Sequence, residues 1–279
     1  MPFNPNTRFL LACGASLGGL ALGGSAFAAN APLLAHRAVY DLTLGKTDDS
    51  SSAPVSARGR IVYEFTGSSC EGWVTNFRQV TELQMQEGDP RVSDMRTSTF
   101  EEGDGSAFQF KTDTLINGKT IETIDGRALK SSDAISINLS QPKAGKTDVS
   151  TSAVFPTAQI LRIVDAAKAG DKTAAIPIFD GSDTGQKIYD TMAVIGHAKA
   201  SDSAETTAAA ADALKGVSRW PVSVSYFDHN KQDGSPNYVL DFDLYENGVS
   251  SALRIDYGSY TLDGKMAKFE PLPQKACSP

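Results

Sequence analysis

Residues that commonly carry chemistry are scarce in this sequence. It holds 3 histidines in 279 residues, His36, His197 and His229, and none stands at a metal-ligand spacing from Cys, Asp or Glu. There is no Gly-x-Ser-x-Gly elbow, so an α/β-hydrolase would lack its nucleophile. The glycine-rich stretch "GASLGGLALGG" falls inside the N-terminal segment and is no phosphate loop. Positive charge is in deficit, with 26 Lys and Arg against 33 Asp and Glu. That balance argues against binding nucleic acid or an anionic lipid surface through charge. Past the N-terminal segment no apolar run is long enough to span a bilayer. No catalytic residue, metal or cofactor is therefore expected.

What is present begins with the N-terminus. One positive side chain, Arg8, precedes an apolar, Gly/Ala-rich run from Phe9 that closes on Ala26-Phe27-Ala28. This small-x-small ending marks residues 1–28 as a secretory signal peptide, cut between Ala28 and Ala29. A membrane anchor fits less well, given the glycine content and the cleavage pattern. "LLACG" at 10–14 resembles a lipoprotein box with Cys13 as the acylated residue, but only 4 apolar residues precede that cysteine. Cleavage leaves 29–279 as one exported domain of 251 residues, with 25 Lys and Arg against 33 Asp and Glu, a net charge of −8.

Two cysteines remain, Cys70 in "TGSSCEGW" and Cys277 in "EPLPQKACSP". An even, minimal count in an exported chain points to one disulfide in an oxidising compartment. Two free thiols, or pairing between chains, are the alternatives the count leaves. An intramolecular bond would pin a tail that otherwise frays.

Most of the mature chain alternates with the period of a strand. In "HRAVYDLTL", Ala38, Tyr40, Leu42 and Leu44 share a face; in "RGRIVYEFTG", Ile61, Tyr63 and Phe65 do. "GWVTNFRQVTELQMQ" continues the pattern, and hairpin turns are expected at Asn117-Gly118, Asn247-Gly248 and Asp263-Gly264. One amphipathic helix is expected over "FPTAQILRIVDAAKAGD", capped by Thr157 and stopped at Gly170. "SDSAETTAAAADALKG" reads as a short exposed helix or mobile loop, because it lacks large apolar residues. The segments 45–57 and 139–156 read as loops. The expected fold is all-β and mainly antiparallel, a long curved meander wrapped around one main helix.

Few motifs suggest a site. Asp183-Thr184-Gly185 has the look of an aspartic-protease turn, but that chemistry needs two carboxylates sharing a proton and no second copy exists. A tight turn before a strand is the simpler reading. Asp241 and Asp243 could serve as an acid pair, yet in an acidic meander they read as a solvated face. Trp73 and Trp220 are expected to pack in the core, with the lining of an apolar pocket as the sharper alternative.

"AHRAVYDLTL", "GRIVYEFTGSSCEGW", "STFEEGDGSAFQF", "VFPTAQILRIVDAAKAGD", "FDGSDTGQKIYDT", "WPVSVSYFD" and "LDFDLYENGVSSALRIDYGSYTLDG" run in order through the chain. Together they resemble the EipB family of periplasmic cell-envelope integrity proteins of alphaproteobacteria. The resemblance implies a β-spiral similar to the half-barrels of lipoprotein carriers, and a Cys70–Cys277 disulfide. It also implies a periplasmic role in envelope maintenance without assigned enzymatic activity, and a functional link to a periplasmic tetratricopeptide-repeat protein. The expected function is binding of an envelope component or protein partner. A carrier of lipid or lipoprotein acyl chains and a hydrolase of an envelope polymer are the alternatives.

Overall fold

Alternating stretches with one apolar face must pair and cover that face, and here they do so in one sheet. The structure is a computed structural model that describes residues 33–48, 53–199, 208–229, 234–275 and 277. The signal peptide expected at 1–28 and its Ala28–Ala29 junction lie outside the described residues, as do residues 201–207. The N-terminal half supplies eight strands: β1 (His36–Thr47), β2 (Ser56–Ser68), β3 (Gly72–Gln84), β4 (Arg91–Glu101), β5 (Ala107–Ile116), β6 (Lys119–Lys130), β7 (Ala134–Gln141) and β8 (Gly145–Ser150). Helix α1 (Pro156–Ala169) follows, then β9 (Thr173–Ala175), β10 (Tyr189–Ile195), helix α2 (Ala208–Leu214), β11 (Arg219–Asp228), β12 (Tyr238–Tyr245), β13 (Ser250–Asp256) and β14 (Tyr260–Pro271).

The strand order is β8-β7-β6-β5-β4-β3-β2-β1-β14-β13-β12-β11-β10-β9, antiparallel between neighbours. The chain walks outward from β1 to β8, crosses to the opposite edge, and walks back until β14 pairs with β1. This connectivity forces curvature. Were the sheet flat, its edge strands would stand about 62 Å apart, from 13 spacings of about 4.8 Å. The 22 residues from 151 to 172 include a 14-residue helix of about 21 Å, and fully extended flanks bring the reach to only about 48 Å. The sheet therefore curls so that α1 crosses its concave side.

The concave face is filled by two clusters. Ile163, Val164 and Ala167 of α1 pack with Val154, Ile178, Ala193, Val222 and Val224 of the C-terminal half. Phe108, Phe110, Ile124 and Ile137 of β5–β7 pack with Phe155 and Phe179. The sheet remains open, with β8 and β9 as its edges.

Several expectations need correction. Asp263-Gly264 is not a turn but lies inside β14, where Asp263 pairs with Arg254 and a side chain at Gly264 would fall 3.2 Å from Leu253 and Leu42. The glycine serves close approach of side chains, not chain reversal. β14 lies inside the sheet, paired to β1 and β13. Part of the expected 139–156 loop is edge strand β8. Ala210 and Leu214 of α2 are buried against Tyr40, Tyr245 and Leu262, so this alanine-rich helix joins the core through its two inward positions. Thr157 does not cap α1; the helix begins on Phe155 without a side-chain cap of its own.

A cavity on the concave face

Strand alternation aligns inward residues into rows that cross β2 to β6. One row runs Phe65–Thr75–Thr99–Phe110, the next Tyr63–Phe77–Thr97–Thr112–Ile124, the third Ile61–Gln79–Met95–Thr114–Glu122. Threonine suits a strand because it is β-branched, but it fills less space than leucine or phenylalanine. Where Thr75, Thr97, Thr99, Thr112 and Thr114 cluster, the wall recedes and leaves a cavity of ≈470 Å³. Thr97 and Thr112 bond to one another, 3.0 Å between hydroxyl oxygens. At the end of the rows, Phe110 and Ile124 enter the aromatic cluster and the wall becomes solid core.

The opposite wall comes from the other half of the molecule. Tyr226 of β11 and Tyr238 of β12 pair across strands and stack with centroids 4.4 Å apart. Leu240 and Gly248 continue this wall, and Pro156, Thr157 and Ile160 of α1 close the cavity on a third side. A second lobe of ≈210 Å³ shares Tyr63, Phe77, Ile160, Tyr226 and Leu240 with the first and reaches His36 and Tyr40.

The segment 180–185 brings Asp180, Ser182 and Asp183 to the cavity. It can lie flat on the sheet because Gly181 has φ 72° and a side chain there would fall 2.5 Å from the Phe110 ring. The Asp180 carboxylate accepts from the Ser182 N–H at 2.9 Å, while burial pushes its carboxyl above the usual range. Asp183 Oδ2 accepts from Lys187 Nζ at 2.6 Å and from the Tyr189 hydroxyl at 3.1 Å. Burial holds the Tyr226 and Tyr238 phenols well above the ordinary tyrosine range, and the neighbouring Asp180 charge adds to this. Burial also pushes Tyr63 up to about 12. His36 donates from Nδ1 to the Leu34 carbonyl at 2.7 Å, and its burial lowers its pKa, so the ring is neutral.

Residues singled out from the sequence are scattered. Cys70, in the β2–β3 turn, is bonded to Cys277, with Cα atoms 5.8 Å apart. Trp73 is buried on Phe65, ring centroids 5.0 Å apart, and Trp220 packs in the α1 cluster; neither lines the cavity. Asp183 occupies a turn with φ 56°. Asp243 is not on a solvated face: it is buried and pairs with Arg219 Nε at 3.2 Å. A bulge between Asp241 and Asp243 breaks the alternation that the sequence suggests. His229 bonds Asp190, and His197 is exposed. Among the described residues no three His, Cys, Asp or Glu gather as a metal set, and no helix is long and apolar enough to cross a membrane. The threonine wall was missed; five inward threonines on three adjacent strands were its signal.

This fold recurs in a solved structure, and the sequence matches a known family. The chain matches the EipB-like family over residues 27–273. It is 38% identical over 249 residues to the cell envelope integrity protein EipB of Brucella abortus, covering 88% of each chain. A crystal structure of a β-barrel-like protein of a domain of unknown function, also from Brucella abortus, superposes with a TM-score of 0.80 at 36% identity, over 86% of this chain and 99% of that one. The chain therefore belongs to the EipB-like family of cell-envelope integrity proteins.

Proposed function

We propose that the chain serves the envelope by binding, not catalysis, and that the concave cavity holds an apolar group such as a lipid or lipoprotein acyl chain. The observation that carries this reading is the recessed threonine wall facing Tyr226 and Tyr238. At ≈470 Å³ the space lies within the range of small-ligand sites, about 300–1,000 Å³. A stable fold with no need of a ligand would fill such a gap with larger side chains. The protein is exported to the periplasm after cleavage between Ala28 and Ala29, and N-terminal sequencing of the mature protein should begin at Ala29. A mature chain starting at an acylated Cys13 would contradict this. The functional link to a tetratricopeptide-repeat protein belongs to the same proposal, and the cavity leaves the outer face of the sheet free for such a partner.

Thr97→Trp tests the binding reading, since the indole would occupy the cavity at the cost of one Thr97–Thr112 hydrogen bond. Native mass spectrometry of protein isolated from cells should find an apolar ligand on the wild type and none on the variant. A folded Thr97→Trp protein at normal abundance should fail to restore envelope integrity to a deletion strain. Full restoration would remove the cavity from the function.

A further inference from the structure

We propose that the cavity selects an amphiphile whose polar end is an amine or quaternary ammonium, seated between Asp180 and the stacked rings of Tyr226 and Tyr238. This rests on the cavity being a binding site, as proposed above, and adds the charge of its ligand.

The charges around the two lobes have one sign. Asp180, Asp183 and Glu122 line them, and among the described residues no lysine or arginine does. The histidine present, His36, is neutral and already donates to the Leu34 carbonyl. The N-terminus of α1 meets the cavity through Pro156 and Thr157 and could have attracted an anion. It is closed: the N–H groups of Thr157 and Ala158 donate to the Glu101 carboxylate, at 2.8 and 3.2 Å. Lys187 is committed to Asp183 and Asp228, at 2.6 and 3.2 Å, and its ammonium lies 4.7 Å from the Tyr189 ring centre.

Asp180 differs from its neighbours. Among the described residues it makes no ion pair; Ser182 is its partner, with the Ser182 N–H donating to it at 2.9 Å. Its charge is felt by both Tyr226 and Tyr238. A carboxylate beside stacked aromatic faces attracts a cation twice, through its own charge and through the ring quadrupoles. A carboxylate or phosphate head would meet repulsion there. The apolar remainder of such a ligand has Phe65, Phe77, Met95 and Leu240 to lie against.

The test is competition against a fluorescent apolar probe, N-phenyl-1-naphthylamine, by ten-carbon chains differing only in the head: decyltrimethylammonium, decylamine, decanol and decanoate. Both cations should displace the probe at concentrations about tenfold or more below decanoate, with decanol between. Asp180→Asn keeps an oxygen for the Ser182 N–H and removes the charge, so it should narrow the ratio to about threefold or less. If that variant does not fold, Tyr238→Leu keeps an apolar wall, removes a π face, and should narrow the ratio likewise. Equal competition by all four chains, abolished by Thr97→Trp, would overturn the head-group selectivity while leaving the binding site standing. No probe binding at all, or binding indifferent to Thr97→Trp, would overturn the site and the selectivity with it.

Discussion

Asp94 sits between two arginines on the outer face of the sheet. Arg78 grips both its oxygens at 2.9 Å and Arg96 Nη2 lies 2.6 Å away, which holds the carboxyl at about 2 rather than 3.8. A folded-state pKa below the unfolded one means stability present above 3.8 and lost as pH falls towards about 2. Asp94→Asn should flatten this part of the acid melting curve; a variant that loses stability with acid as steeply as wild type would show that the bridge contributes nothing. Asp183 carries the opposite expectation. Its carboxylate is engaged by Lys187 and Tyr189, in a turn with φ 56° that asparagine also adopts. Asp183→Asn should therefore restore a deletion strain as well as wild type does. A folded, normally abundant variant that fails would show that the Asp183 carboxylate acts in the site; if such a variant still binds the apolar probe with unchanged head-group preference, the failure would revive catalysis. At this scale the sequence was legible where a residue acts alone, as with the Asp183 turn. It was illegible where the partner is remote: nothing in "STFEEGDG" says that Glu101 will meet a helix 56 residues later.

That contact governs an element. Helix α1 lacks a side-chain cap of its own, and Glu101, buried at the end of β4, accepts from its first N–H groups. A carboxylate at a helix N-terminus satisfies orphan donors and complements the dipole. Removing it orphans one buried and one half-buried donor, so Glu101→Ala should cost about 2–3 kcal/mol and lower Tm by roughly 5–10 °C. Glu101→Gln keeps one acceptor and should lose less. A Glu101→Ala protein melting with wild type would mean that the helix is held by packing alone. Burial raises the Glu101 carboxyl above 4.5, so its linkage has the reverse sign to that of Asp94: this contribution declines as pH rises from 4.5 through the raised value. The helix itself, with Pro156 at its start and Gly170 at its stop, was plain from apolar spacing and end signals. Helix α2 was not, since two inward residues, Ala210 and Leu214, make too thin a stripe to read. Asp263-Gly264 misled because the same dipeptide serves a turn or a close packing contact, and only the neighbours Leu42 and Leu253 decide.

For the whole molecule, alternation identified a meander but not which strands would meet. A half-buried strand carries no label for its partner, so the β1–β14 pairing and the rows of inward threonines had to come from the fold. That pairing brings the two ends of the sheet's path together, and the last residues run on past it to the β2–β3 turn. There the Leu272 N–H donates to the Ala35 carbonyl at 2.8 Å, and Gln274 Nε2 donates to the carbonyls of Leu33 and Gly67, at 2.9 and 3.0 Å. Lys275 pairs with Glu71 at 2.9 Å, and the Cys70–Cys277 bond completes the attachment. The native tail thus has contacts of its own, and the disulfide acts chiefly on the unfolded chain. Closing a loop across 207 positions corresponds to about 5 kcal/mol in the chain-entropy model, and measured values run nearer 2–4. Reduction should leave the sheet intact in circular dichroism and lower Tm by roughly 5–15 °C. Cys70→Ser, Cys277→Ser and the double variant should agree, because each breaks the same bond. The outer strands should keep their hydrogen-exchange protection while the tail after Pro271 becomes the first site of proteolysis. Two reactive thiols per chain in unreduced, unfolded protein taken from cells would show that the bond does not form there. In that case the hydrogen bonds of Leu272 and Gln274 would be left to hold the tail alone.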